Sequence, residues 1–127
     1  MNQPMTGEET PAVDALPPSL VHLVAPDPAR LEAATSVFRM LADPTRLHIL
    51  WVLADGEADV TALTEACGGS RTAVSQHLAK LRFTGMVETR REGRRIIYRI
   101  RDGHLARLAR EGLNLADHIV TGELPHE

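Results

Sequence analysis

Apolar residues recur at helical spacing from Leu31 onward: Leu31, Ala34, Val37, Phe38 and Leu41 lie three and four residues apart, on one face of a helix. Asp27-Pro28 ahead of them reads as an N-cap followed by proline at the first helical position. Asp43-Pro44 repeats the start signal and opens a second helix, with Leu47, Leu50, Trp51 and Leu53 as its expected buried face and Asp55-Gly56 as its stop. A short third helix over 60–67 turns Val60, Leu63 and Cys67 inward, and Gly68-Gly69 forms a tight turn into a fourth. In that helix, from Ser70 to Thr84, Val74, Leu78 and Leu81 make one inward stripe. The remaining face carries Arg71, Thr72, Ser75, Gln76 and Lys80. Gly85 follows, where a helix end favours a residue tolerant of positive φ.

After Gly85 the period changes. Met86 to Arg90 is a short extended run, Glu92-Gly93-Arg94 supplies a turn, and Ile96 to Ile100 returns. A last helix then runs from about Gly103 to Val120, capped by Asp102 and ended by Gly122 and Pro125, with Leu105, Leu108, Leu115 and Ile119 as its stripe and Ala109, Gly112 and Ala116 nearby. The order of short helix, Gly turn, polar-tipped helix and hairpin predicts a mainly α fold with a small β-hairpin wing, a winged helix-turn-helix. The last helix lies outside that unit and its stripe needs cover, so the first and last helices are the expected interface of a two-fold homodimer. The domain is expected over 27–121, after a proline-rich, flexible arm (1–26) and before a tail (122–127). Within the arm, Leu20 to Val24 is an apolar island, and its His22 reads as polar filler.

Charge sharpens the picture. Residues 70–101 hold nine Lys/Arg against two Glu, a local net of +7, in a chain whose total is −3. Segregation on that scale suits a phosphate-binding face and predicts double-stranded DNA as partner. Arg71, Thr72, Ser75 and Gln76 are the base-edge candidates; His77, Lys80, Arg90, Arg91, Arg94 and Arg95 are the phosphate candidates. Only 3 % of the residues are aromatic, too few to build a stacking platform for single strands. The single Cys67 excludes an intramolecular disulfide; with no signal peptide and no apolar run of membrane-spanning length, the chain is expected in the cytoplasm. No nucleophile triad, phosphate-cradling Gly loop or catalytic zinc spacing is present, so an enzyme is not expected.

The runs VFRMLADPTRLHILWVL, SRTAVSQHLAKLR and GMVETRREGRRIIYRI resemble the ArsR/SmtB family of bacterial winged-helix repressors, over about residues 36–118. The resemblance implies a homodimer on a palindromic operator, released when an inducer binds. Within the family it is to the KmtR-type nickel and cobalt sensors, in the Val-Phe-Arg-Met-Leu-Ala-Asp run and in a His opening the last helix before an acidic-His pair.

His104 and His118 are fourteen residues apart, within about 40° on one helix face but about 21 Å apart along the axis. They cannot share an ion within one helix, but an antiparallel pair of such helices brings His104 of one chain to His118 of the other, giving two sites per dimer. The KmtR-like ligand set maps onto His104, Asp117, His118 and His126, with Asp117 where Glu is expected and Glu127 where a second tail His is expected. The family's zinc-type quartet would use Asp102, His104 and His118 but meets Leu115 at its third position. Imidazole and carboxylate donors without thiolate suit a nickel or cobalt ion as inducer, with zinc as a further candidate. The cysteine-rich site at the start of the third helix is missing from Glu57 to Val60, against arsenic, cadmium or lead sensing. His48 reads as a satisfied or surface histidine. Two rivals fit the same residues: a regulator of this kind that answers an organic ligand or oxidation of Cys67, and a protein-interaction module that does not bind DNA.

Overall fold

Among the described residues, five short side chains start five helices. In the computed structural model, which describes residues 25–122, Asp27 accepts a bond from the Arg30 amide at 2.8 Å and opens α1 (Pro28–Leu41). Asp43 accepts from the Thr45 and Arg46 amides, both at 3.0 Å, and opens α2 (Pro44–Ala54). Asp59 caps α3 (Val60–Cys67) through Ala62, Ser70 caps α4 (Arg71–Phe83) through Ala73, and Asp102 caps α5 (Gly103–Thr121) through His104. Each cap satisfies amides that the first helical turn cannot.

Chain contacts divide the protein into residues 1–34 and 35–127. Of the first unit the described part is the opening of α1 with its cap; the rest of the arm, His22 included, lies outside the described residues. The second unit holds the core. Ile49, Leu50 and Leu53 of α2, Leu63 of α3, Val74, Leu78 and Leu81 of α4, Val87, and Leu105 and Ala109 of α5 form one buried cluster, and no polar side chain is buried with them among the described residues. The expected inward stripe of α4 is fully buried.

The wing consists of β2 (Val87–Glu92) and β3 (Arg95–Ile100), antiparallel from Val87↔Ile100 to Glu92↔Arg95 and closed by Gly93-Arg94, with Gly93 at φ 65°. Such a two-residue hairpin loop needs positive φ, which glycine adopts without strain. A third strand, β1 (Ala58–Asp59), pairs with β3 through Ala58↔Tyr98 and Asp59↔Ile97, so the sheet order is β1-β3-β2. This strand was not expected where the sequence reads as the entry to the third helix. Two residues cannot display an alternation, and the partner lies some forty positions away.

Two buried faces differ from expectation. Trp51 is 46 % exposed and Leu47 half-buried, while Ile49 takes the inward position beside Leu50 and Leu53. α2 is apolar almost all round, so periodicity cannot tell which arc faces in. Of the expected α5 stripe only Leu105 is buried, together with the neighbouring Ala109; Leu115 and Ile119 are 50 % and 66 % exposed, and Phe38 on α1 is 55 % exposed. No helix among the described residues is long and apolar enough to cross a membrane.

Candidate nucleic-acid interface and metal ligands

α3 and α4 form the helix-turn-helix. Its turn rests on Gly68 at φ 76°, whose amide donates to Thr64 O at 2.9 Å. Burial of Val74, Leu78 and Leu81 leaves Arg71, Thr72, Ser75, Gln76 and Lys80 exposed on the outer surface of α4. Arg71 is steadied by Thr61 Oγ1 at 2.9 Å across the turn. A cleft of about 210 Å³ between α4 and the wing is lined by Asp59, Arg71, Ser75, Arg94, Arg95 and Tyr98. Base-edge and phosphate candidates thus share one surface.

The wing arginines are not equivalent. Arg90 is held at 2.5 Å by Glu57 and at 3.3 Å by Glu92; Arg95 is held at 2.9 Å by Asp59 and at 3.3 Å by Glu92. The Arg90 guanidinium lowers the Glu57 carboxyl below its ordinary range, and the Ala62 amide and Arg95 do the same for Asp59. Arg91 and Arg94 make no ion pair among the described residues and stand exposed. Arg99 pairs with Glu88 on the neighbouring strand. The roles of Glu57 and Asp59 escape a sequence reading because their partners lie 33 and 36 positions away. Phe83, at the end of α4 and 93 % exposed, shares a cleft with Ser75, Ala79, Arg82 and Tyr98 and was likewise not singled out.

His77 faces inward. Its Nδ1 lies 3.4 Å from Arg46 Nη1 and its Nε2 lies 3.6 Å from Asp43 Oδ2, with only 21 % of the side chain exposed. A phosphate contact, expected from its position in α4, would require these partners to be left. Arg46 in turn reaches back to the end of α1, donating from Nε to Met40 O at 2.8 Å and from Nη2 to Arg39 O at 3.4 Å. The Arg46 amide, with His77 and Thr45 assisting, lowers the Asp43 carboxyl below its ordinary 3.8.

On α5, His104 opens the helix beside Asp102, whose Oδ1 lies 2.6 Å from the His104 amide and 3.1 Å from its Nδ1. That carboxylate therefore caps the helix and orients the ring, with Nε2 left to face outward. Asp117 is exposed and His118 half-buried. His126 and Glu127 lie outside the described residues. Among the described residues, no three side chains able to ligate a metal come together within one chain. The candidate donors are nitrogen and oxygen only, a set that suits nickel, cobalt or zinc alike. Cys67 is half-buried, and burial pushes its thiol up from the usual range.

Comparisons with known proteins agree with this geometry. The family model for bacterial regulatory proteins of the arsR family matches residues 43–89. The chain is 48 % identical over 86 residues to the HTH-type transcriptional regulator KmtR of Mycobacterium tuberculosis, a match covering 68 % of this chain and 66 % of that protein. It is 41 % identical over 87 residues to the regulator NmtR of the same organism, covering 68 % and 72 %. Among solved structures, the homodimeric winged helix-turn-helix DNA-binding domain Mb0332 of Mycobacterium bovis is similar at a TM-score of 0.65 and 36 % identity, over 84 % of this chain and all of that one. Both sequence relatives are HTH-type transcriptional regulators.

Proposed function

Since the chain belongs to the ArsR family of bacterial regulatory proteins, we propose that it is a dimeric, metal-responsive repressor that binds a palindromic operator and is released by nickel or cobalt, with zinc as a further candidate. Each subunit of the dimer lays α4 in a major groove, Arg71, Thr72, Ser75 and Gln76 toward base edges. Lys80, Arg91 and Arg94 take phosphates, with Arg90 and Arg95 beside them once their carboxylates yield.

The observation that carries the metal reading is α5. It presents His104 near one end and Asp117-His118 near the other, on a helix whose stripe stays exposed at Leu115 and Ile119, and among the described residues neither end gathers three ligating side chains from its own chain. Two partial sites on an uncovered helix are what a two-fold pair of chains would complete. His104 from one subunit and Asp117 with His118 from the other would hold the ion, and the tail's His126 and Glu127 are the candidates for the remaining positions. The ion, when bound, would add a link between the two α5 helices that free protein lacks. Linkage then requires that any dimer geometry favoured by metal and disfavoured by operator lowers operator affinity. The raised thiol of Cys67 leaves little thiolate and speaks against oxidation as the signal.

Fluorescence anisotropy on a labelled operator, with nickel, cobalt and zinc titrated into wild type and into the His104→Ala/His118→Ala variant, tests the proposal. Release by nickel or cobalt in wild type and none in the variant is expected. Tight binding unmoved by any of the three metals would keep the repressor and sink the metal sensor, and Cys67→Ser would be the next variant.

A further inference from the structure

We propose that Arg46 is a positioning residue for DNA recognition: together with His77 it clamps the recognition helix α4 to the end of α1. The inference rests on α4 being the DNA-reading element and not on the metal.

Three nitrogens of one guanidinium reach two elements. Nε donates to Met40 O at 2.8 Å and Nη2 to Arg39 O at 3.4 Å, both carbonyls of the last turn of α1. A helix's final carbonyls lack intrahelical donors, so the Met40 bond fills a real vacancy. Nη1 points the other way, to His77 Nδ1 at 3.4 Å. The Arg46 amide is itself fixed by Asp43 Oδ2 at 3.0 Å, and the same oxygen stands 3.6 Å from His77 Nε2. For Nδ1 to accept from Arg46, the imidazole must be neutral with its proton on Nε2, the nitrogen that faces the carboxylate. The contacts at 3.4 and 3.6 Å are weak singly. What gives them leverage is that Arg46 is anchored on two sides before it meets His77.

The geometry also separates this role from the obvious one. His77 directly follows Gln76, a base-edge candidate, so a shift of His77 moves Gln76 with it. Its ring is turned into the fold, away from the exposed side chains of Thr72, Ser75 and Gln76. A phosphate contact and a positioning contact then differ in one observable, the salt dependence. Losing a phosphate contact lowers the slope of log affinity against log salt by about 1; losing a positioning contact lowers affinity at every salt concentration alike.

The test uses the full chain and labelled operator across a salt series, for wild type, Arg46→Lys, His77→Ala and the double variant. Lysine keeps the charge but loses the planar fork whose separate nitrogens meet Met40 O and Arg39 O on one side and His77 on the other. Each single variant is expected to bind about tenfold more weakly with the wild-type slope, and the double variant no more weakly than either single one, since coupled residues are non-additive. A slope reduced by about 1 in either variant, additive losses, or wild-type affinity in Arg46→Lys would overturn the clamp. A second measurement needs no operator and no variant. The ring-nitrogen NMR signals of wild-type His77, recorded at pH about 8 where an ordinary imidazole is neutral, should report the Nε2–H form. A proton on Nδ1 would show that Arg46 does not donate there and would equally overturn it.

Discussion

Arg90 and Arg91 are adjacent in sequence and differently committed. Arg90 is bound to Glu57 and Glu92, whereas Arg91, like Arg94, meets no carboxylate among the described residues. An arginine must leave its intramolecular partner before it neutralises a phosphate, so the unpaired pair should dominate the electrostatics of binding. Arg94→Ala is therefore expected to weaken operator binding about equally for all sequences and to reduce the salt slope by roughly 1. Arg90→Ala should reduce the slope less than Arg94→Ala does, because Arg90 must first leave Glu57 and Glu92, and should loosen the wing as well, a contrast that anisotropy across a salt series reads directly. A change of sequence preference in Arg94→Ala would mean that the wing is misplaced. Asp43 makes a prediction of a different kind. Its carboxyl is lowered from 3.8 chiefly by the Arg46 amide, so the folded state binds this proton less readily than the unfolded chain. The stability it contributes is fully present above 3.8 and is lost as pH falls through the lower folded value. Urea denaturation followed from neutral pH to below 3.8 should show that decline, and Asp43→Asn, which can still cap α2, should flatten its part of it.

The five helices among the described residues were legible because each begins at a local signal, an Asp or Ser that caps it. Gly68 shows how local that logic is: at φ 76° with open space around it, the position asks for glycine by backbone conformation alone. Gly68→Ala should cost about 1 kcal/mol, visible as a lower midpoint in urea with an unchanged m-value. A wild-type midpoint would mean that the turn between α3 and α4 relaxes without cost. What the sequence could not show is non-local. β1 is two residues long and exists through its pairing with Tyr98 and Ile97. The inward turn of His77 depends on Asp43 and Arg46, and the capture of Arg90 on Glu57, each from an element distant in the chain. The outer face of α4 was readable from three buried positions; which arginines of the wing are free was not.

For the whole molecule the unresolved quantity is apolar surface. Phe38, Leu115 and Ile119 remain half or more exposed in one chain, on the two helices that flank the DNA-reading unit. An extended apolar stripe rimmed by polar residues is the mark of a surface that meets a partner. The same helix carries His104 and His118 about 21 Å apart, so a second copy covering that stripe would also complete both metal sites. If the proposed intersubunit site is right, dimerisation and metal response are one property, and they should fail together. Ile119→Glu places a charge on the stripe without touching the buried cluster or α4. It is expected to keep the helical circular-dichroism spectrum, to sediment as a monomer where wild type sediments as a dimer, and to lose both tight operator binding and stoichiometric nickel or cobalt uptake. Separation of the two would decide against the shared site. A monomeric Ile119→Glu that still took up one ion per chain with wild-type affinity would show that each chain assembles its ligands alone. The spacing of His104 and His118 forbids this unless the tail, with His126 and Glu127, supplies the missing donors to one of them.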